Sequence, residues 1–226
     1  MQHKNNTSHL LELMTLDANM NTSDIESRFD QIAKMLFECF VVQKEEKKYL
    51  FKEIEFYFYN KNHRDIITHP RVSKPLCWYV NDFGGIDLNF KSCIKREYKV
   101  NSKGKSVMKY VLDDSAYFGG ILIRQLISED GSETLNGPLA CAELFRCYDA
   151  TGSSMNKYLP LLVECDSGKV TYTQGKRTNL LQAPQTEERV KKKVDNILYL
   201  YHECLDKNVL YKEFEKFIKI HYGYKR

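Results

Sequence analysis

Residues 50–90 read LFKEIEFYFYNKNHRDIITHPRVSKPLCWYVNDFGGIDLNF. Aromatic and β-branched residues dominate 51–59, which predicts a strand, and a strand turns alternate side chains to opposite faces. Glu53, Glu55, Tyr57 and Tyr59 then share one face, while Ile54, Phe56 and Phe58 share the other. With the Ile/Phe face turned to the core, the glutamates and tyrosines line a cleft from a rigid strand. A carboxylate between aromatic walls suits glycosidic-bond chemistry, because it can activate water or stabilise a cationic sugar while flat rings hold a flat base. The same pattern also describes a solvated strand face, and period two alone does not choose between the two glutamates.

Working outward, a chain of 226 residues can bury a proper core without a second domain. The expected organisation is an N-terminal arm over 1–22 and one α+β domain over 23–226. The formal charge of +4 permits a polyanionic partner without requiring one. No apolar run of membrane-spanning length and no signal-peptide pattern appears, so the expectation is a soluble, cytoplasmic monomer with no membrane partner. Seven cysteines, an odd number without a CxxC pair, argue against a disulfide framework and a zinc site. They are expected to be reduced core residues, and no metal or cofactor is expected.

Before the opening strand, SDIESRFDQIAKMLFECF carries Ser23 and Glu26 at capping-box spacing and Ile25, Phe29, Ile32, Leu36 and Phe40 at helical spacing. The charged KEEKK that follows predicts a hairpin turn into the strand. After it, His63 is expected in a polar loop, and Pro70 and Pro75 exclude regular helix. The basic segment 91–115 contains an NSKG turn between apolar alternations, predicting an excursion hairpin. Arg124 lies inside the apolar strand GGILIRQL and needs a carboxylate or phosphate partner. A helix opening at LNGP, two short strands around 166–168, a basic GKRTN loop and two C-terminal helices capped from Thr186 complete the reading.

Five of these segments in order, EIEFYFYN, HRDIITH, WYVNDFGGIDLN, GGILIRQL and LNGPLACAELF, resemble the alkyladenine (3-methyladenine) DNA glycosylase family. The resemblance spans about Ser23 to Leu181. It implies a curved, mainly antiparallel sheet flanked by helices, and a monofunctional enzyme that flips a damaged or modified base out of double-stranded DNA and hydrolyses its N-glycosidic bond. By that resemblance Glu55 activates the attacking water and Arg124 supports it. Tyr57 and Tyr79 stack on the base, while His69, at the D-x-x-x-H spacing from Asp65, and Asn89 complete the pocket. Lys176 and Arg177 in the GKRTN loop are expected to meet DNA phosphates. No lysine is placed for a Schiff base, so an abasic site is the expected product.

The sequence departs from the family at two places. YVNDFGG replaces the family's tyrosine-rich strand, leaving Phe83 as the expected duplex wedge, since an acidic side chain there would face phosphates. The basic 91–115 insertion has no counterpart in the family. These departures leave open a bulky modified base in foreign (phage) DNA, a non-catalytic DNA-binding module, and an RNA or nucleoside hydrolase.

Overall fold

The aromatic stretch folds as the long central strand β2 (Lys47–Asn60), and the rest of the molecule is assembled on it. In the computed structural model of the chain, the described residues are 5–81, 84–145, 159–178, 188, 191–192, 194–195 and 206–226. Phe83 and Thr186 lie outside them, as does most of the first expected C-terminal helix.

Ahead of β2 come α1 (Asn6–Leu13), α2 (Thr22–Cys39) and β1 (Phe40–Lys44), and after it β3 (His63–Arg64), β4 (Trp78–Val80) and β5 (Ile86–Asn89). Strands β6 (Lys95–Val100) and β7 (Ser106–Val111) form a separate ribbon. Next are β8 (Phe118–Ser128), β9 (Thr134–Asn136), α3 (Pro138–Ala142), β10 (Leu161–Glu164), β11 (Thr173–Gly175), α4 (Lys207–Phe217) and β12 (Gly223–Lys225). The main sheet runs β10-β1-β2-β8-β5-β4, with β3, β9, β11 and β12 attached at its margins, and every pairing is antiparallel. The protein is therefore α+β with a large antiparallel sheet, as expected.

Ile54, Phe56 and Phe58 face the main core, where Phe29 of α2 stacks on Phe56 with ring centroids 4.6 Å apart. The helix buries Ile25, Phe29, Ile32 and Leu36, but Phe40 leaves it to open β1. Its N-cap is Asn21, whose side chain accepts from the Asp24 amide at 2.9 Å, rather than Ser23. Glu26, the expected capping-box partner, instead accepts from the Tyr222 hydroxyl at 2.9 Å. Residues of the expected arm also enter this core: α1 buries Leu10 and Leu13, and Met14 and Leu16 follow them. On the other side of the sheet Tyr59 stacks on Phe118 in a smaller core completed by Leu210 and Phe214 of α4.

Two features set the spacing behind the site. Gly119 on β8 lies so close to β2 that a Cβ there would fall 2.1 Å from the Tyr57 carbonyl oxygen, so only glycine permits the pairing. The β2–β8 register shifts between Phe51 and Glu53 and again between Glu53 and Ile54. The second shift leaves Arg124 without a partner in the ladder, between Ile123 opposite Ile54 and Gln125 opposite Glu53. A bulge of this kind re-aims a side chain.

The second C-terminal helix is present as α4 but shorter than its reading. Helix α4 ends at Phe217 and the chain closes as β12, paired to β2 with Gly223 opposite Glu55. Tyr222 and Gly223 are buried there, and periodicity cannot register a strand that short.

Candidate active site

Directly opposed residues of an antiparallel sheet share a face, so the pairing register alone assembles the site. One row runs Glu55, Leu122, Asp87, Tyr79 across β2, β8, β5 and β4, and the next runs Tyr57, Gly120, Asn89. With strands about 4.8 Å apart, Glu55 and Asp87 stand roughly 10 Å from each other. Glu55, Tyr57, Tyr79, Asn89 and Arg124, five of the residues singled out by sequence, therefore lie on one face of the sheet.

Glu55 is fully buried and its carboxylate is held from three sides. The Tyr57 hydroxyl donates to Oε2 at 2.8 Å, the Thr178 amide donates to Oε1, and Arg124 Nε lies 3.3 Å from Oε1. Burial pushes the carboxyl up from the usual carboxylate range, while Arg124, the Thr178 amide and Tyr57 pull it back. Arg124 thus has the carboxylate partner its apolar strand demanded, and it has two. Its Nε also donates to Glu53 Oε1 at 3.2 Å, which the Thr178 hydroxyl approaches at the same distance. Glu53 is a second acceptor for the same guanidinium, with Lys225 Nζ 3.5 Å from its other oxygen.

Loop 176–178 reaches Glu55 because β12 carries it there. Gly175 pairs with Gly223, Gly223 lies opposite Glu55, and a Cβ on Gly223 would come within 3.0 Å of the Lys176 carbonyl oxygen. Lys176 is exposed, as a phosphate contact requires. Arg177 is not, and its expected role on phosphates does not hold: its side chain is fully buried in an ion pair with Asp65, NH1 to Oδ2 at 2.6 Å. It also donates to the carbonyl oxygens of Phe56 and Phe217 and lies 4.6 Å above the Tyr57 ring. Isolated buried charge is costly, and the carboxylate with two carbonyls supplies the compensation.

A second buried pair repeats the arrangement across the sheet. Arg71 NH1 donates to Asp87 Oδ2 at 2.6 Å and to Asn89 Oδ1 at 2.9 Å, and its guanidinium lies 4.3 Å above the Tyr79 ring. Gly120 makes room for it, since a Cβ there would meet Arg71 NH1 at 3.1 Å and Asn89 Oδ1 at 3.2 Å. Asn89 Nδ2 donates to Ser73 Oγ at 2.7 Å and Asn81 Nδ2 to Asp87 Oδ1 at 3.0 Å. The expected floor residue Asn89 is therefore tied into a buried polar network, and each expected stacking tyrosine carries a guanidinium on one ring face.

His69 lies beside this network, its carbonyl accepting from Arg71 Nε at 3.2 Å. Its motif neighbour Asp65 is engaged by Arg177. His63, expected in a loop, is fully buried on β3 among Phe29, Phe58, Phe217 and Tyr222, and neither ring nitrogen has a hydrogen-bond partner among the described residues. Burial drives its pKa down to about 3, helped by Arg177 and Lys216.

Sequence reasoning missed Arg71, Asp87 and Thr178. Asp87 carried the signal that exposed Arg124, a charge inside an apolar strand, whereas Arg71 and Thr178 sit in loops with no periodicity. Of the cysteines described, Cys141 is buried but Cys77 and Cys93 are exposed, so they are not uniformly core residues. No cluster of metal-ligating side chains is found among the described residues, and none of their helices is long and apolar enough to cross a membrane. A cavity of about 270 Å³ lined by Tyr59, Lys61, Arg64, Asp113 and Leu210, among others, shares no residue with the Glu55 cluster. The chain matches no protein-family model, no curated protein and no solved structure.

Proposed function

We propose that the chain is a monofunctional DNA glycosylase in which Glu55 activates water against the N-glycosidic bond of an extruded base. The observation that carries this reading is the buried Glu55 carboxyl, raised by desolvation and braced by Arg124 and Tyr57 on a rigid strand. A general base works best with a pKa lifted toward the operating pH, and burial supplies that lift. Cleavage of the C1′–N bond passes through an oxocarbenium-like sugar, and an adjacent carboxylate stabilises it as well as taking the proton from water. Arg124 keeps Glu55 oriented, and Glu53 shares the guanidinium so that its charge stays compensated as Glu55 becomes protonated. The exposed Lys176 supports a phosphate contact beside the site.

For water to reach Glu55, the Thr178 amide must leave Oε1. Arg177 anchors the middle of loop 176–178 while Thr178 is exposed, so a local shift of Thr178 on DNA binding, with the Arg177–Asp65 pair intact, would open the carboxylate. One observation favours a second reading. Glu55 has no exposed surface and both oxygens are occupied, which also suits a non-catalytic DNA-binding module whose carboxylate only ties strands together.

The experiment is incubation with duplexes carrying a panel of damaged and modified bases, followed by alkaline cleavage at abasic sites. Wild type releases at least one base, and Glu55→Gln lowers release by about 100-fold or more while duplex affinity persists. Full excision by Glu55→Gln would reject the mechanism. Duplex binding without release of any base in the panel would select the non-catalytic reading.

A further inference from the structure

The β6–β7 ribbon packs on the smaller core near its root, and its far half carries exposed side chains. At the root, Ile94 is buried in the smaller core, Tyr110 and Leu112 pack against it, and Lys95 is bonded to Asp113 at 2.5 Å. Beyond it, among the described residues, the two strands pair only with each other, Lys95 opposite Val111 through Val100 opposite Ser106. An isolated two-stranded ribbon is marginal in water unless something else uses it.

Its composition names the chemistry of the user. Lys95, Arg96, Lys99, Lys103, Lys105 and Lys109 stand against a single acidic residue, Glu97. One face of the ribbon collects Arg96, Tyr98, Val100, Ser106, Met108 and Tyr110, with Tyr110 packed on the smaller core at the root and Arg96 5.9 Å over its ring. Tyr98 and Val100 on this face are 76% and 72% exposed, more than a ribbon covered by its own protein would leave. The tip is fixed in advance. Asn101 Oδ1 accepts from the Lys103 and Lys105 amides at 3.0 Å each, Gly104 takes the left-handed φ of +71° that closes the turn, and Lys103 and Lys105 are exposed.

We infer that the β6–β7 ribbon is a docking arm for duplex DNA, inserting into the major groove with Tyr98 and Val100 against base edges and Lys99, Lys103 and Lys105 on the flanking phosphates. This rests on the DNA partner of the proposed function and adds the surface that holds it. Dimensions agree: six residues per strand span roughly 20 Å, and two strands about 4.8 Å apart with their side chains fill a groove about 12 Å wide. Cations position the ribbon, and the apolar face supplies contact that salt does not screen.

The test uses the full chain and a lesion-free duplex, with affinity read by fluorescence anisotropy across a salt series. The triple variant Lys99→Ala/Lys103→Ala/Lys105→Ala keeps the wild-type melting temperature and loses about three from the slope of log affinity against log salt. Tyr98→Ala weakens binding roughly ten-fold with the slope unchanged. Unchanged affinity and slope in both variants would overturn the inference, as would lysine-dependent binding confined to single strands or RNA. Base release at saturating DNA separates this inference from the enzyme reading. Ribbon-dependent duplex binding without base release leaves the arm standing and removes the glycosylase. Base release with ribbon variants that bind like wild type does the reverse.

Discussion

Replacing His63 with Phe is expected to flatten the acid side of the stability profile. In the folded protein the imidazole is enclosed by four aromatic rings, both nitrogens lack partners, and burial holds its pKa at about 3, against 6.5 for a solvated histidine. Between those values the unfolded chain binds a proton that the folded chain does not, so stability falls as the pH is lowered. At about 1.4 kcal/mol per pH unit, the contribution is a loss of about 2 kcal/mol by pH 5 and about 5 kcal/mol below pH 3. For a chain of this size 2 kcal/mol moves the melting temperature by roughly 4–8 °C. Glu55 and Asp65, both raised by burial, titrate with the opposite sign, and comparing wild type with His63→Phe cancels them. The assay is urea unfolding followed by circular dichroism from pH 7.5 to 4. The difference in stability between the two proteins should change by about 2 kcal/mol between pH 7 and 5, in favour of the variant at the acid end. A constant difference would refute the assignment of a neutral, unpartnered imidazole. At neutral pH the variant should match wild type or exceed it, because an unsatisfied buried N–H costs about 1–3 kcal/mol.

Arg177→Met strands the Asp65 carboxylate in the interior and should lower stability by about 3–5 kcal/mol in the same urea assay, whereas Lys176→Ala should change it by less than about 0.5 kcal/mol and act only on DNA affinity. Equal effects of the two would contradict the burial contrast between these neighbours. Gly119→Ala forces β8 away from the Tyr57 carbonyl and should destabilise by about 1–3 kcal/mol or more; a neutral variant would show that the strands do not approach as closely as described.

Much of the fold was legible because its signals are local. The aromatic alternation in 51–59 placed Ile54, Phe56 and Phe58 in the core and Glu55 and Tyr57 on the opposite face, and the spacing of Ile25, Phe29, Ile32 and Leu36 placed α2. The NSKG turn announced the β6–β7 ribbon, and the lone charge in GGILIRQL announced a buried ion pair for Arg124. These rules work over a few residues, where a strand or helix must separate apolar from polar side chains whatever it later packs against.

The partners were decided by the tertiary structure. Period two put Glu53 and Glu55 on one face but could not show that a register shift on β8 would set Arg124 between them. Nor could it show that the chain's last strand would carry Thr178 onto Glu55, or that adjacent Lys176 and Arg177 would part, one to solvent and the other beneath Tyr57. Loops carry no periodicity, and their side chains are buried or exposed by whatever distant strand lies beside them. The sequence by itself determined a strand with a carboxylate and a tyrosine turned away from the core, because alternation is a property of the backbone. The closed, doubly braced carboxylate that Glu55 became depends on β8, β12 and loop 176–178 meeting over one strand, and pairing between segments that distant exists only once the sheet is assembled.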